Sequence, residues 1–121
     1  MDDNLLNERR KNDRITYNLV IHCSKMICGS KVVSFDTPVE MNVKNISPEG
    51  LCISSTELFE ESSVLRFDME LEEVLYQGLS GTVIWRTKNG DMYYYGLNLQ
   101  NISGRLSIHI IEIGRKLSSR V

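Results

Sequence analysis

The sequence predicts an all-β domain, a small antiparallel β-barrel of six or seven strands followed by a C-terminal α-helix. Short segments between residues 15 and 99 alternate apolar and polar side chains, which is typical of strands with one buried face. Gly, Pro, Asn and Ser residues separate these segments at short intervals and predict tight turns. After Ser103 the apolar spacing changes to that of a helix. Strands joined by short turns, with one terminal helix, favour a barrel that the helix caps.

The first strands are predicted between residues 15 and 38. Apolar side chains at every second position indicate a half-buried strand over Ile15–Cys23. A turn at residues 28–31 leads into a short strand at Val32–Phe35. Pro38 then marks the start or the edge of another strand, because proline cannot donate a ladder hydrogen bond.

The next pair of strands flanks a polar turn. Residues 39–44 alternate and run into Asn45-Ile46-Ser47, after which Pro48-Glu49-Gly50 forms the turn. Residues 51–54 return as a strand. We expect Gly50 to adopt a positive φ, as glycine does readily in turns. The polar segment therefore lies at the end of a strand, on a loop held by rigid flanks.

The middle of the chain contains the clearest strand. Val64–Leu71 places apolar side chains on one face and charged ones on the other. Val74–Gln77 and Ser80–Arg86 follow as two strands, divided at Gly78 or Gly81 by a bulge or bend.

A hairpin and a helix complete the domain. Asn89-Gly90 is a strong hairpin signal before the last strand, Met92–Leu99. Ser103 offers an N-cap, and apolar residues then recur at spacings of three and four, as on the buried face of a helix. These residues are Leu106, Ile110, Ile113 and Leu117. The predicted helix spans about residues 103–119, and the barrel with its helix spans residues 15–121.

Composition limits the class of protein. A chain of 121 residues with 41% hydrophobic and 25% charged residues predicts one globular domain. Residues 1–14 carry few apolar side chains and predict a flexible N-terminal arm. We expect no transmembrane segment and no signal peptide, because neither a long apolar run nor a basic N-terminus before one is present. An odd number of cysteines, three, favours the reducing cytoplasm.

Metal binding, catalysis and nucleic-acid binding find less support in the sequence. The Cys23 and Cys28 pair lacks a second cluster of ligands, so no metal site is expected. No catalytic motif is present, so we expect neither an enzyme nor a cofactor. Small barrels often bind single-stranded nucleic acid, which stays an alternative. The net charge of −2 and the scarcity of lysines on the strands argue against a basic groove.

Two short motifs carry the functional signal. Arg10 and Arg14 stand four residues apart with Arg9 beside them, giving permanently charged planar groups for phosphates and guanine edges. Asn45, Ser47 and Gly50 combine an amide, a hydroxyl and a glycine in one turn that can approach a ligand closely.

In this order the motifs read RxxxR and (D/N)xSxxG, and the chain resembles the PilZ domain family, bacterial receptors for cyclic di-GMP. The resemblance extends over about residues 7–103, because Gly81–Trp85 and Tyr95–Leu99 are similar to the family's last two strands. It implies a six-stranded split barrel with RxxxR just before the first strand. Asn45 replaces the more usual Asp, which implies a weaker grip on guanine N–H donors.

The resemblance also implies residue roles. Arg10 and Arg14 would take the phosphates and a guanine O6/N7 edge, while Asn45 and Ser47 would bind another guanine edge. Arg9 is the position associated with binding the ligand as an intercalated dimer. Gly96 would allow close approach of a base.

The arm would close over the barrel on binding and alter the surface offered to an unidentified protein partner. A degenerate PilZ domain that acts only through protein contacts is the other alternative. Trp85 and Arg86 are candidate stacking residues, although Trp85 is expected in the core.

Overall fold

Six antiparallel strands form a closed barrel in the computed structural model, which describes residues 15–118. The elements in chain order are β1 Ile15–Cys28, β2 Lys31–Ile46, β3 Gly50–Ser55, β4 Val64–Leu71, β5 Val74–Asn89, β6 Met92–Gln100 and α1 Gly104–Ser118. Around the barrel the strands follow the order β1-β2-β3-β6-β5-β4. The predicted six-stranded barrel with a C-terminal helix is confirmed, whereas the predicted arm at residues 1–14 lies outside the described residues.

β2 is one long strand where two were predicted. Cys23 pairs with Val39 and Lys25 pairs with Ser34, so the register with β1 shifts sharply between these pairs. Pro38 lies in the irregular stretch that results, where its missing N–H removes no ladder hydrogen bond. The proline therefore interrupts the ladder but not the extended backbone, which is why the prediction of two strands was wrong.

β5 is continuous for a related reason. Phe67 pairs with Leu79 and Met69 pairs with Tyr76, so β5 has an additional residue between these pairs. Gly78 lies at this bulge with a φ of 68°, and its N–H donates to Asp68 Oδ1 at 2.8 Å. The predicted bulge at Gly78 is confirmed, but it bends a single strand and does not separate two.

The helix α1 packs on one end of the barrel through its buried residues Leu106, Ile110 and Ile113. It begins as predicted, since Ser103 Oγ accepts a hydrogen bond from the Leu106 N–H at 3.1 Å.

A polar cluster fixes α1 to the β4–β5 turn. Tyr76 Oη lies 2.6 Å from His109 Nδ1, and His109 Nε2 lies 3.0 Å from Glu72 Oε1.

The opposite end of the barrel is filled by Phe59, from the loop between β3 and β4. Its side chain is fully buried against Tyr95, with ring centroids 5.2 Å apart. Tyr95 Oη accepts a hydrogen bond from the Phe59 N–H at 2.8 Å and donates one to the Glu57 carbonyl at 2.7 Å. Burial raises the pKa of Tyr95, so the hydroxyl keeps the proton that it donates.

In the part of the chain that the structure describes, no helix has the length and apolar character needed to cross a membrane.

Candidate ligand-binding site

The turn between β2 and β3 holds the second motif in a fixed conformation. The Ser47 N–H donates to the Gly50 carbonyl at 2.9 Å, and the Gly50 N–H donates to the Ser47 carbonyl at 3.2 Å. Ser47 is only 5% exposed, and its Oγ also accepts from the Gly50 N–H at 3.3 Å. The Glu49 carbonyl accepts from the Leu99 N–H at 2.8 Å, which fastens the turn to β6.

Gly50 is required for close packing. The positive φ expected for Gly50 is wrong, since the glycines with positive φ in residues 15–118 are Gly29, Gly78 and Gly90. A Cβ at Gly50 would lie 2.1 Å from the Leu97 carbonyl oxygen on β6. The glycine therefore lets the first residue of β3 approach the backbone of β6 at the foot of the turn.

Asn45 lies on the outer surface of the barrel beside this turn. It pairs with Cys52 after an irregularity in the ladder between β2 and β3. Leu51 and Ile53, which flank Cys52, are buried in the core, so alternation along β3 directs Cys52 outward. Asn45, half-buried, shares that outer face with Cys52. Its amide thus lies at the edge of an exposed surface and next to Ser47.

A row of paired residues extends this surface across three more strands. Asn45 pairs with Cys52, Cys52 with Gly96, and Gly96 with Trp85. A Cβ at Gly96 would lie 2.1 Å from Trp85 Nε1, so the indole ring covers the glycine. In this structure the group that approaches Gly96 closely is the side chain of Trp85. The row thus joins a hydrogen-bonding amide at one end to an aromatic ring at the other.

Trp85 is half-buried on the outer face, so its expected place in the core is wrong. Simple alternation puts Trp85 on the same face as Val83, which is buried. The register with β6 shifts between these two residues, because Val83 pairs with Leu97 and Trp85 with Gly96. Alternation along β5 could not reveal this bulge, so the sequence predicts a core position for Trp85 although it also offers Trp85 as a candidate stacking residue.

Arg86, the other candidate stacking residue, contacts the loop at the opposite end of the barrel. Its Nη1 donates to the Phe59 carbonyl at 3.1 Å, which helps to hold the loop between β3 and β4. In this structure Arg86 therefore stabilises the loop that places Phe59 in the end of the barrel.

The start of β1 lies beside the second motif. Ile15 pairs with Ile46 and Thr16 pairs with Asn45. Arg14 directly precedes Ile15 in the chain, so the RxxxR segment joins the barrel beside the turn that carries Asn45 and Ser47. Arg9, Arg10 and Arg14 themselves lie outside the described residues.

Metal-binding groups are not assembled within residues 15–118, where no three His, Cys, Asp or Glu side chains could hold a metal ion together. Cys23 is buried, and burial raises the pKa of its thiol. This cysteine is therefore a neutral core residue.

Comparison with known proteins agrees with the fold and the motifs. The chain matches the PilZ domain family model over residues 8–113. No match is found among curated proteins. Among solved structures the chain is similar to the PilZ domain with c-di-GMP of YcgR from Escherichia coli, at 14% identity and a TM-score of 0.59. That similarity covers 93% of this chain and 99% of the other, and it shows the shared fold. Because the family model spans most of the sequence, the chain belongs to the PilZ domain family.

Proposed function

We propose that this protein is a receptor for cyclic di-GMP. The observation that carries the proposal is the pairing of Ile15 with Ile46 and of Thr16 with Asn45, which joins the RxxxR segment to the barrel beside the second motif. The YcgR domain that shares the fold is described with c-di-GMP, which supports the same ligand here. Membership of the PilZ family favours a ligand-binding receptor over an enzyme.

The chemistry of the ligand fits the groups available. Cyclic di-GMP offers two phosphates and two guanines, and Arg10 and Arg14 would bind the phosphates and a guanine O6/N7 edge. The Asn45 carbonyl oxygen would accept a hydrogen bond from guanine N–H groups, with Ser47 and Gly50 shaping the turn beneath. Asn45 has no negative charge, so we expect weaker binding than an aspartate would give.

Trp85 would serve as a stacking surface at the far end of the row. Its indole covers Gly96 on the outer face, in register with Cys52 and Asn45. Base stacking on an aromatic ring contributes roughly 1–3 kcal/mol. Substitution of Trp85 by Ala should therefore weaken binding by roughly 5- to 150-fold.

Titration calorimetry with cyclic di-GMP tests the proposal. Arg10→Ala should weaken binding about 5- to 150-fold, because a bidentate arginine–guanine contact is worth roughly 1–3 kcal/mol. Arg105→Ala, which removes an exposed arginine of α1 outside the proposed site, is the matched control and should bind as the wild type does. If the wild type shows no binding at high micromolar ligand, the receptor proposal is wrong, and a PilZ domain acting through protein contacts alone is the better reading.

Arg9 would set the number of ligands bound. A guanidinium stacked on a guanine face stabilises a second, intercalated cyclic di-GMP molecule. The wild type should therefore bind two ligands per chain, and Arg9→Ala should bind one. Equal stoichiometry in both proteins would contradict this role for Arg9 while leaving the receptor proposal intact.

Closure of residues 1–14 over the barrel would couple binding to a downstream protein partner. Ligand that bridges Arg10 or Arg14 to the barrel would order this segment and change the surface offered to that partner. Hydrogen exchange measures the coupling directly. We expect ligand to slow amide exchange in residues 1–14, whereas unchanged exchange there under saturating ligand would exclude closure.

A further inference from the structure

An open groove lies between α1 and the start of β5, with a volume of about 510 Å³. The residues that line it are Val74, Tyr76, Arg105, Ile108, His109 and Glu112. Ile108 is 57% exposed, so the groove leaves apolar surface open to solvent. Its size falls within the range of roughly 300–1,000 Å³ that is typical of sites for small apolar groups. The groove is therefore a candidate docking surface for apolar side chains.

The chain enters β1 beside the same helix. Ile15 packs against Gly114, because a Cβ on this glycine would lie 2.9 Å from Ile15 Cδ1. Ile111 and Ile108 precede Gly114 at spacings of three residues, and residues three apart are neighbours on the surface of a helix. Ile111 is half-buried and Ile108 is exposed. A row of apolar side chains therefore leads from the start of β1 across α1 to the groove.

The sequence that precedes Ile15 supplies an apolar pair within reach of the groove. Leu5 and Leu6 are the apolar residues of positions 2–14. From Ile15 back to Leu6 an extended chain reaches about 30 Å, whereas the 15 residues of α1 span about 22 Å. Attachment through a linker of this length gives the leucines an effective concentration in roughly the millimolar range at α1. The N-terminal segment of the same chain is thereby favoured over a separate partner.

Charges of α1 and of this segment match in one direction. Along α1 the groove offers a cation, an apolar side chain and an anion in that order, at Arg105, Ile108 and Glu112. The segment carries the opposite charges in the same order, with aspartates at 2 and 3, the leucines, and then basic residues at 9–11. A segment that runs in the direction of α1 thus brings opposite charges together and leads toward Gly114, where β1 begins. The reverse direction would bring like charges together.

We propose that residues 2–11 dock along α1 in this direction, with Leu5 and Leu6 in the groove beside Ile108. Arg105 makes no ion pair within residues 15–118, so it is available to the aspartates. Docking would fix the segment at two places, at the groove and at Ile15. The inference does not rest on the proposed ligand, because the two leucines lie outside the RxxxR motif.

Methyl NMR of the full chain tests the proposal. Nuclear Overhauser contacts should join methyl groups of Leu5 or Leu6 to the δ1 methyl of Ile108. The double variant Leu5→Ser, Leu6→Ser should lose these contacts and shift the Ile108 resonance. Ile84 is the matched control, since it is 58% exposed on β5 and does not line the groove, and its resonance should not move. Missing contacts in the wild type, or an Ile108 resonance that is unchanged in the variant, would overturn the proposal.

Charge exchange tests the direction, with the Ile108 resonance reporting the docked fraction. Arg105→Glu should weaken docking by up to about fivefold, as expected for an exposed ion pair. Adding Asp2→Lys and Asp3→Lys to that variant should restore docking, and a loss that the lysines do not reverse would overturn the assigned direction. Dilution of the wild type should leave the Ile108 resonance in place, because the contact lies within one chain. A shift that depends on concentration would place a second copy in the groove and overturn the proposal. Circular dichroism confirms that the variants are folded.

Discussion

Substitution of Gly50 by Ala offers the most direct test of how the β2–β3 turn is held. The new Cβ would lie 2.1 Å from the Leu97 carbonyl oxygen, more than 1 Å inside normal contact. Because the obstacle is backbone in a strand paired on both sides, β3 must move away from β6. Overpacking costs about 1–3 kcal/mol, and loss of a ladder hydrogen bond adds about 1 kcal/mol.

We therefore expect a loss of about 2–4 kcal/mol in the free energy of unfolding. For a domain of this size that loss lowers Tm by roughly 8–16 °C. Thermal and urea unfolding followed by circular dichroism measure both quantities. A second substitution separates crowding from backbone strain. Asn tolerates a positive φ but is larger than Ala, so Gly50→Asn should be at least as destabilising as Gly50→Ala.

Gly29 is the matched control. It has a φ of 63° and open space around its Cβ position, so strain should dominate there. Gly29→Asn should be milder than Gly29→Ala, the reverse of the order at Gly50. The crowding argument at Gly50 is wrong if Gly50→Ala changes the free energy of unfolding by less than about 0.5 kcal/mol, the usual spread of neutral surface substitutions. It is also wrong if Gly50→Asn is the milder change.

Three further substitutions test the core and the ends of the barrel. Tyr95→Phe removes the hydroxyl that accepts from the Phe59 N–H, and urea unfolding should show a loss of about 1–3 kcal/mol; an unchanged midpoint would mean that the Tyr95 hydroxyl does not stabilise the loop. Ser54 Oγ is buried without a hydrogen-bond partner in residues 15–118, so Ser54→Ala should stabilise by up to about 1 kcal/mol in the same assay, and a loss of stability would reveal an unseen partner. Hydrogen bonds from α1, first of all from His109, hold the pKa of the Glu72 carboxyl below its usual range. The ionised carboxylate therefore stabilises the folded state above about pH 4.3, and this contribution is lost as the pH falls through the lowered pKa. Glu72→Gln should therefore be less stable than the wild type at pH 7 and similar to it near pH 3, whereas an equal difference at both pH values would exclude this titration.

Much of the architecture could be predicted because local patterns and the final packing agree. The alternation in Val64–Leu71 appears in the structure as β4, with its apolar face in the core. The spacing of Leu106, Ile110 and Ile113 likewise gave the buried face of α1. In both segments one period runs without interruption, so the face of each side chain follows from its position.

Three of the errors occur where the ladder is irregular. The sequence predicts strand boundaries at Pro38 and Gly78, yet each lies at an irregularity within a continuous strand. Trp85 was assigned to the wrong face because β5 gains a residue relative to β6 just before it. A one-residue shift reverses the face of a side chain, and the partner strand that fixes the shift is distant in sequence. The motif at Asn45 and Ser47 was located, while the row that continues to Trp85 depended on this register.

Closure of the barrel has a consequence for the speed of folding. The turns between β1 and β2, β4 and β5, and β5 and β6 join neighbouring segments, so these hairpins can form locally. The strand pairs that close the ring, β1 with β4 and β3 with β6, join segments that are distant in sequence, since His22 pairs with Asp68 and Cys52 pairs with Gly96. Such non-local pairing must overcome the entropy of closing long loops before it contributes any stability. We therefore expect folding on the slow, millisecond-to-second timescale of barrels, with the β1–β4 and β3–β6 strand pairs forming last.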